Sequence, residues 1–404
     1  MAALAFGLPL GTAPLLWWWS GTQTDLDAAA VRLHALGLPT TGEEWGRVVA
    51  DPERLVKRRR IEELAVALDT YRGDYDYRSD YANHRLMTAV PEGIATFQAA
   101  CDAGHVAELE NLLLGLGDGP LAATIDFPLP YGGEPGPYRP WHFLRQRIVT
   151  ASVPAAERAA RAALVLARAQ AGVDLYYGAY QLERVLKAIA SRMAAGALFS
   201  PALARDLDAT AAQIIAQRPR AVAAQAITYL TLFRKGFMAT AKPLGLSLPS
   251  IMQTAPFNEL IFRAGRARII DDLGTQAAFM RDHHRPREWA DEDVRRSLAY
   301  GTNTRRYSAS GFLMPLFGPL FFPPITITST VVAMRAGVLA AELRQGAWPE
   351  DLLDPGRHPL RPLQSFGHPV GAYSVGLDGR DDGGGKGDVK FLFRAQPLGT
   401  TADP

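Results

Sequence analysis

Apolar residues recur at helical spacing along most of this chain. Alanine, leucine and arginine dominate from Pro154 to Phe199. Within that stretch Leu164, Leu175, Leu182, Val185, Leu186 and Ile189 fall on steps compatible with one helical face, as a core-facing stripe requires. Proline and serine punctuate the pattern. Pro154 suits a helix start, Ser200-Pro201 caps a helix running to Gln217, and Pro219 opens another that reaches about Lys242. Further helices are predicted over Asn258–Met280 and Asp291–Tyr300. Upstream, Asp25–Leu36 reads as a short amphipathic helix closed by Gly37, and Asp51–Thr70 as a second. A third spans Pro91–Leu114 and is ended by Gly115, Gly117 and Gly119. Helices joined by short Pro/Gly turns make an irregular helical bundle, so the predicted fold class is mainly α, with a small α/β tail. Pro154–Met280 is expected to fold as a unit.

Two apolar stretches depart from this amphipathic pattern. Ala2–Ser20 carries no charge and ends in Trp17-Trp18-Trp19. Its length is near that of a membrane-crossing helix, and tryptophans favour the membrane interface. Pro9 and Pro14, with Gly7 and Gly11, would disturb such a helix, and no Lys or Arg precedes it. Two readings stay open, a membrane anchor and a buried or irregular apolar arm, and the anchor is the one expected. Gly311–Ile327 is also apolar but holds Pro315, Pro319, Pro323 and Pro324, which excludes an ordinary transmembrane helix. Asp126–Trp141, rich in proline, glycine and aromatic residues, reads as a linker or exposed loop. The expected organisation is an anchor over 1–20, and a helical region with that linker at its end over 21–141. A central bundle follows over 142–310, then an apolar segment, helix and tail over 311–404.

Composition narrows the function. The chain has 404 residues, 48% of them hydrophobic and 21% charged, as an ordinary globular protein does. Its 43 basic and 41 acidic residues leave a net charge of +2, which gives no reason to expect nucleic acid as a partner. The single Cys101 excludes an internal disulfide and a cysteine-rich zinc site.

The most specific signal lies near the C-terminus. A helix from about Thr328 to Leu343 stops at Gln345-Gly346, and Trp348-Pro349-Glu350-Asp351-Leu352 follows. Next come Asp354-Pro355, His358-Pro359-Leu360 and Tyr373-Ser374-Val375-Gly376-Leu377-Asp378-Gly379. Asp381-Asp382-Gly383-Gly384-Gly385, Lys386-Gly387-Asp388-Val389 and Phe391-Leu392-Phe393 close the segment. Carboxylates spaced along a glycine-rich turn can converge on a hard cation, because glycines let the backbone fold around it and offer carbonyl oxygens. Asp378, Asp381, Asp382 and Asp388 are the candidates, and the alternative is an acidic loop whose aspartates cap turns. This order of elements resembles the globular part of type II secretion major pseudopilins, and pseudopilin-like tails on larger envelope proteins. The resemblance implies a calcium ion in the loop, transferred most directly to Asp378 and Asp388. The pilin-type helix is internal here, and the family's leader with its glutamate is not found at the N-terminus. The expectation is therefore a pseudopilin-like tail on a larger protein, not assembly into a pseudopilus.

Other clusters carry less. Adjacent histidines of Asp282-His283-His284, with Glu288, point apart on a helix and rarely chelate one ion. Ser308 and Ser310 lack a nucleophile elbow, and Gly115, Gly117 and Gly119 form no phosphate fingerprint. The expected function is a membrane-tethered structural or interaction protein of the cell envelope, on its periplasmic or outer face, beside a secretion or pilus-like apparatus. Its expected partners are the membrane and other envelope proteins. The alternative is an envelope hydrolase with dispersed catalytic residues.

Overall fold

The computed structural model describes residues 26–41, 43–44, 52–69, 98–116, 139–171, 175–235, 256–303, 324–365, 368–385 and 387–393. Eleven helices and a small sheet are labelled here. The helices are α1 (26–35), α2 (Pro52–Asp69), α3 (His105–Leu114), α4 (Arg139–Thr150), α5 (Val153–Ala171) and α6 (Leu175–Ala194). They continue as α7 (Pro201–Ala216), α8 (Arg218–Lys235), α9 (Pro256–Asp282), α10 (Pro286–Asn303) and α11 (Pro324–Arg344). The strands are β1 (Arg361–Ser365), β2 (His368–Ser374) and β3 (Val389–Leu392). The described residues are mostly helical with one three-stranded sheet, as the fold class requires.

Local chemistry sets the ends of these helices. Ser200 caps α7 by accepting from the Ala202 amide, with Pro201 in the first turn. Helix α11 stops because Gln345 turns left-handed, which lets the Gly346 amide donate to the Ala341 carbonyl and the Gln345 amide to that of Glu342.

Alanine governs the packing. Helix α5 buries Ala156, Ala159, Ala160, Ala162, Ala163 and Ala167, and these small side chains let α3, α4, α6 and α7 all pack against it. Helix α11 lies against α6 and α7 and reaches β3, burying Val332, Met334, Val338 and Leu339. Glu183 on α6 pairs with Arg335, and Asp208 on α7 with Arg344, tying α11 down at two points. One continuous apolar core runs from Ile61 and Leu64 on α2, through Trp141 and Leu144 on α4, to Phe391 on β3 and Phe393 just past its end. Buried residues from α2, α4 to α7 and α11 all contribute to it. Helices α8 and α9 pair with each other, and α1 docks on α9 through Leu33 beside Gly274 and an Arg32–Asp271 ion pair at 2.7 Å.

The sheet has the order β1-β2-β3 and is antiparallel throughout. Arg361 stands opposite Tyr373 and Ser374 opposite Val389, with an irregularity between Leu363 and Gln364. Ala372 and Phe391 face each other in the register and are buried, joining the sheet to the core.

The expected elements shift in several places. The single helix expected over Pro91–Leu114 is broken, because Gly104 turns left-handed at φ 79 and starts α3 afresh. The long alanine-rich run divides into α5 and α6. Arg139, Pro140 and Trp141, expected in the linker, begin α4, which buries Trp141, Leu144 and Ile148 against the bundle. Helix α10 starts at Pro286 instead of Asp291, and α11 at Pro324 instead of Thr328, each proline fitting a first turn where no amide is needed. No helix among the described residues is long and apolar enough to cross a membrane. The segment Ala2–Ser20, most of Asp126–Trp141 and residues 311–323 lie outside the described residues.

Candidate functional site

The tail loop is built on the far side of β2. The chain leaves β2 at Ser374, turns left-handed at Gly376 (φ 66) and Gly379 (φ 67), and returns into β3 at Val389. A β-carbon at Gly376 would lie 2.5 Å from the Gly387 carbonyl oxygen, so the two stems of the loop touch there and only glycine fits.

Of the four candidate ligands, two stand at one glycine and a third follows it in the chain. A β-carbon placed on Gly387 would lie 2.9 Å from an Asp382 carboxylate oxygen and 3.1 Å from one of Asp378. The missing side chain leaves a cradle there, edged by two carboxylates. Asp388 follows directly and is only 9% exposed. Its Oδ2 accepts from the Gly384 amide at 2.7 Å and the Gly385 amide at 3.1 Å. Its Oδ1 is buried and has no hydrogen-bond donor. A buried carboxylate oxygen without a donor is costly, and a cation is a natural partner for it. Among the described residues, Asp378 accepts from the nearby Arg380 amide, at 3.1 Å.

Asp381 is engaged elsewhere. Its Oδ1 accepts from the Tyr373 hydroxyl and the Gly383 amide, each at 3.0 Å, and its Oδ2 lies 2.8 Å from Arg361 Nε. The Gly383 amide, helped by Tyr373 and Arg361, holds its carboxyl below the usual range against a weaker opposing effect of desolvation. Burial and the acceptor on Asp381 raise the Tyr373 phenol in turn.

Arg361 belongs to a network of carboxylates that no sequence motif marks. Asp351 is fully buried and accepts from Ser374 Oγ at 2.7 Å, and from the Val375 and Leu353 amides at 3.0 Å each. Asp354 accepts from the Gly356 amide at 2.7 Å and lies 2.9 Å from His358 Nδ1. Burial pushes the Asp354 carboxyl up, but the Gly356 amide, His358 and Arg361 outweigh it and hold it low. Arg361 stands 3.5 Å from Asp354 and 3.9 Å from Asp351, so it links the Asp-Pro turn to the loop through Asp381. The Asp351-to-Asp354 spacing around Pro355 was a visible turn signal; Arg361, one residue of a short strand, gave none. From the body, Arg287 on α10 donates through Nη1 to the Leu353 carbonyl at 2.7 Å and the Gly376 carbonyl at 3.4 Å. Its Nε pairs with Asp291 at 2.9 Å.

The donor set at Gly387 is all oxygen, which suits a hard cation of calcium's size and flexible coordination. Among the described residues, no three His, Cys, Asp or Glu side chains are already gathered to hold a metal ion. Elsewhere the His283 ring stacks on Phe279 at 4.0 Å and meets the Phe279 carbonyl at 3.0 Å. Burial raises the Cys101 thiol despite Arg147 at 3.5 Å, the opposite of an activated nucleophile. No family model, curated protein or solved structure matches the chain.

Proposed function

We propose that this chain is a structural or interaction protein of the cell envelope, tethered through Ala2–Ser20, whose pseudopilin-like tail is ordered by one calcium ion. Two observations support the cation reading: the Gly387 cradle is edged by carboxylates of Asp378 and Asp382, and the next residue, Asp388, carries a buried Oδ1 without a donor. Asp381 drops out of the ligand set because Tyr373, Gly383 and Arg361 already use it. A bound cation supplies the charge that lets the carboxylates close on one point; without it they repel and stay apart. The envelope placement rests on the resemblance of the tail and on the apolar N-terminal segment.

Thermal unfolding of the full chain in calcium or in chelator tests this. Calcium is expected to raise the melting temperature increasingly as it exceeds its dissociation constant, with magnesium a poor substitute. Asp388→Asn keeps an oxygen for the Gly384 and Gly385 amides but removes the ligand oxygen, so it should fold and lose the shift. Gly387→Ala fills the cradle with a methyl against two movable side-chain ends, so it should also fold and respond weakly. A native chain indifferent to millimolar calcium would sink the reading.

A further inference from the structure

Arg287 of α10 joins the cation loop to the helical body. Arg287 sits in the first turn of that helix, its guanidinium largely covered at 17% exposure and steadied by Asp291. Its Nη1 donates to carbonyls from two separate parts of the tail. One belongs to Leu353, whose own amide is fixed by buried Asp351. The other belongs to Gly376, the stem residue packed against the Gly387 carbonyl. Asp378 lies two residues beyond Gly376, and Asp388 directly follows Gly387. Arg287 thus holds the stem from which both sides of the cradle are hung.

Resting on the calcium reading above, we infer that Arg287 couples the cradle to the body. Cation held at Asp378, Asp382 and Asp388 tightens the docking of α10 on the tail, and that docking raises the loop's affinity for the cation. Linkage requires the effect to be equal in both directions. The physical path is short. Closing the loop on a cation fixes the Gly376 and Gly387 stems, which fixes the Gly376 carbonyl where Arg287 can donate to it. A longer 3.4 Å contact has room to shorten, whereas the Leu353 contact at 2.7 Å is already tight. At the envelope such a link would read calcium concentration as the firmness of the joint between tail and body.

The charge of Arg287 acts against the cation, which makes the sign of the test decisive. Acting only as a positive charge, Arg287 would weaken calcium binding, and its removal would strengthen it. Acting as a positioning residue, its removal loosens the stem and weakens binding. Calorimetric calcium titration of the full chain, native and with Arg287→Ala or Arg287→Lys, separates these. We expect about a fivefold or greater loss of affinity in Arg287→Ala. Arg287→Lys, which keeps the charge without the planar fork, should fall between, and carries the test if the alanine variant does not fold. Amide exchange along α10 should slow on adding calcium to the native chain, and change less in the variants. Unchanged or increased affinity in both variants overturns the coupling, as does α10 exchange indifferent to calcium, while the calcium reading stands. A native chain that binds no calcium removes both.

Discussion

Glu110 on α3 is fully buried with Arg147 2.7 Å and Arg158 3.3 Å from its two oxygens. Both contacts are ion pairs, and the two arginines offset part of the cost of burying the carboxylate. Burial dominates, and the carboxyl is raised above the ordinary glutamate value despite both arginines. A folded-state value above the unfolded one means that the folded chain binds this proton more tightly. Its stabilising contribution is complete below the unfolded value and is lost as pH rises through the folded one. Glu110→Gln should therefore flatten the fall in stability from about pH 5 upward, and at pH 8 match the native chain or exceed it by about 1 kcal/mol. Both arginines keep some access to water, which lets them stay charged without the carboxylate. Urea unfolding across that pH range checks this, and a variant much less stable at pH 8 would show that the ion pair outweighs its burial. The same tension between burial and partners separates the tail aspartates. Asp381 has its donors, whereas Asp388 has them on one oxygen only. Sequence could place four aspartates in one glycine-rich loop but not divide them, because the division depends on Arg361 and Tyr373 reaching across a strand register invisible in composition.

Helix α7 shows how a local signal and a distant one combine. Ser200-Pro201 was legible as a cap, and the cap forms. The sequence gives no sign that Glu157 on α5 reaches the same point, accepting from the Ser200 amide at 2.8 Å and from its hydroxyl. The tether fixes the start of α7 against α5, and α7 in turn packs on α11. Glu157→Ala should cost about 1–2 kcal/mol in chemical denaturation, with helix content nearly unchanged, since the serine cap and Pro201 remain. A loss within a few tenths would mean that water replaces the carboxylate at that helix end. Helices started by proline were the most readable elements, because a missing amide and a fixed φ mark the first turn directly. Even so, α10 and α11 begin at Pro286 and Pro324, upstream of the polar residues Asp291 and Thr328 that also look like helix starts. The break at Gly104 is not legible in the sequence, because a lone glycine inside a helical pattern is often tolerated. The start of α4 is hidden in the sequence because Pro140 follows a Pro/Gly-rich stretch and shares its composition, although Trp141, Leu144 and Ile148 keep helical spacing.

At the scale of the molecule, the question is where one cooperative unit ends. The stripes of α5, α6 and α7 are strong enough to suggest a bundle that stands alone between Pro154 and Met280. Their burial has another origin. Leu164 and Leu166 on α5, Leu186 and Ile189 on α6, and Leu203 and Leu207 on α7 belong to a core that also contains α4 and α11. Helix α11 comes from more than a hundred residues downstream and fills the groove between α6 and α7, bringing Arg335 to Glu183 and Arg344 to Asp208. Helical periodicity reports that a face is buried but not what buries it, and the partner here is separated by the whole of α8, α9 and α10. Helices α8 and α9 do not take its place: they pack chiefly on each other, and α8 meets α6 and α7 only lightly. A fragment spanning 154–280 should therefore be helical by circular dichroism yet melt broadly, with exposed apolar faces on α6 and α7 where α11 belongs. The full chain should melt as one transition across α2 to the sheet, because burying apolar faces against one another is what makes unfolding all-or-none. Calorimetry of both decides it. A sharp two-state melt of the fragment would mean that its core closes without α11 and that the downstream helix only covers a finished surface. A broad melt sharpened by adding a peptide of residues 324–344 would show that the chain completes its core by return of a distant helix.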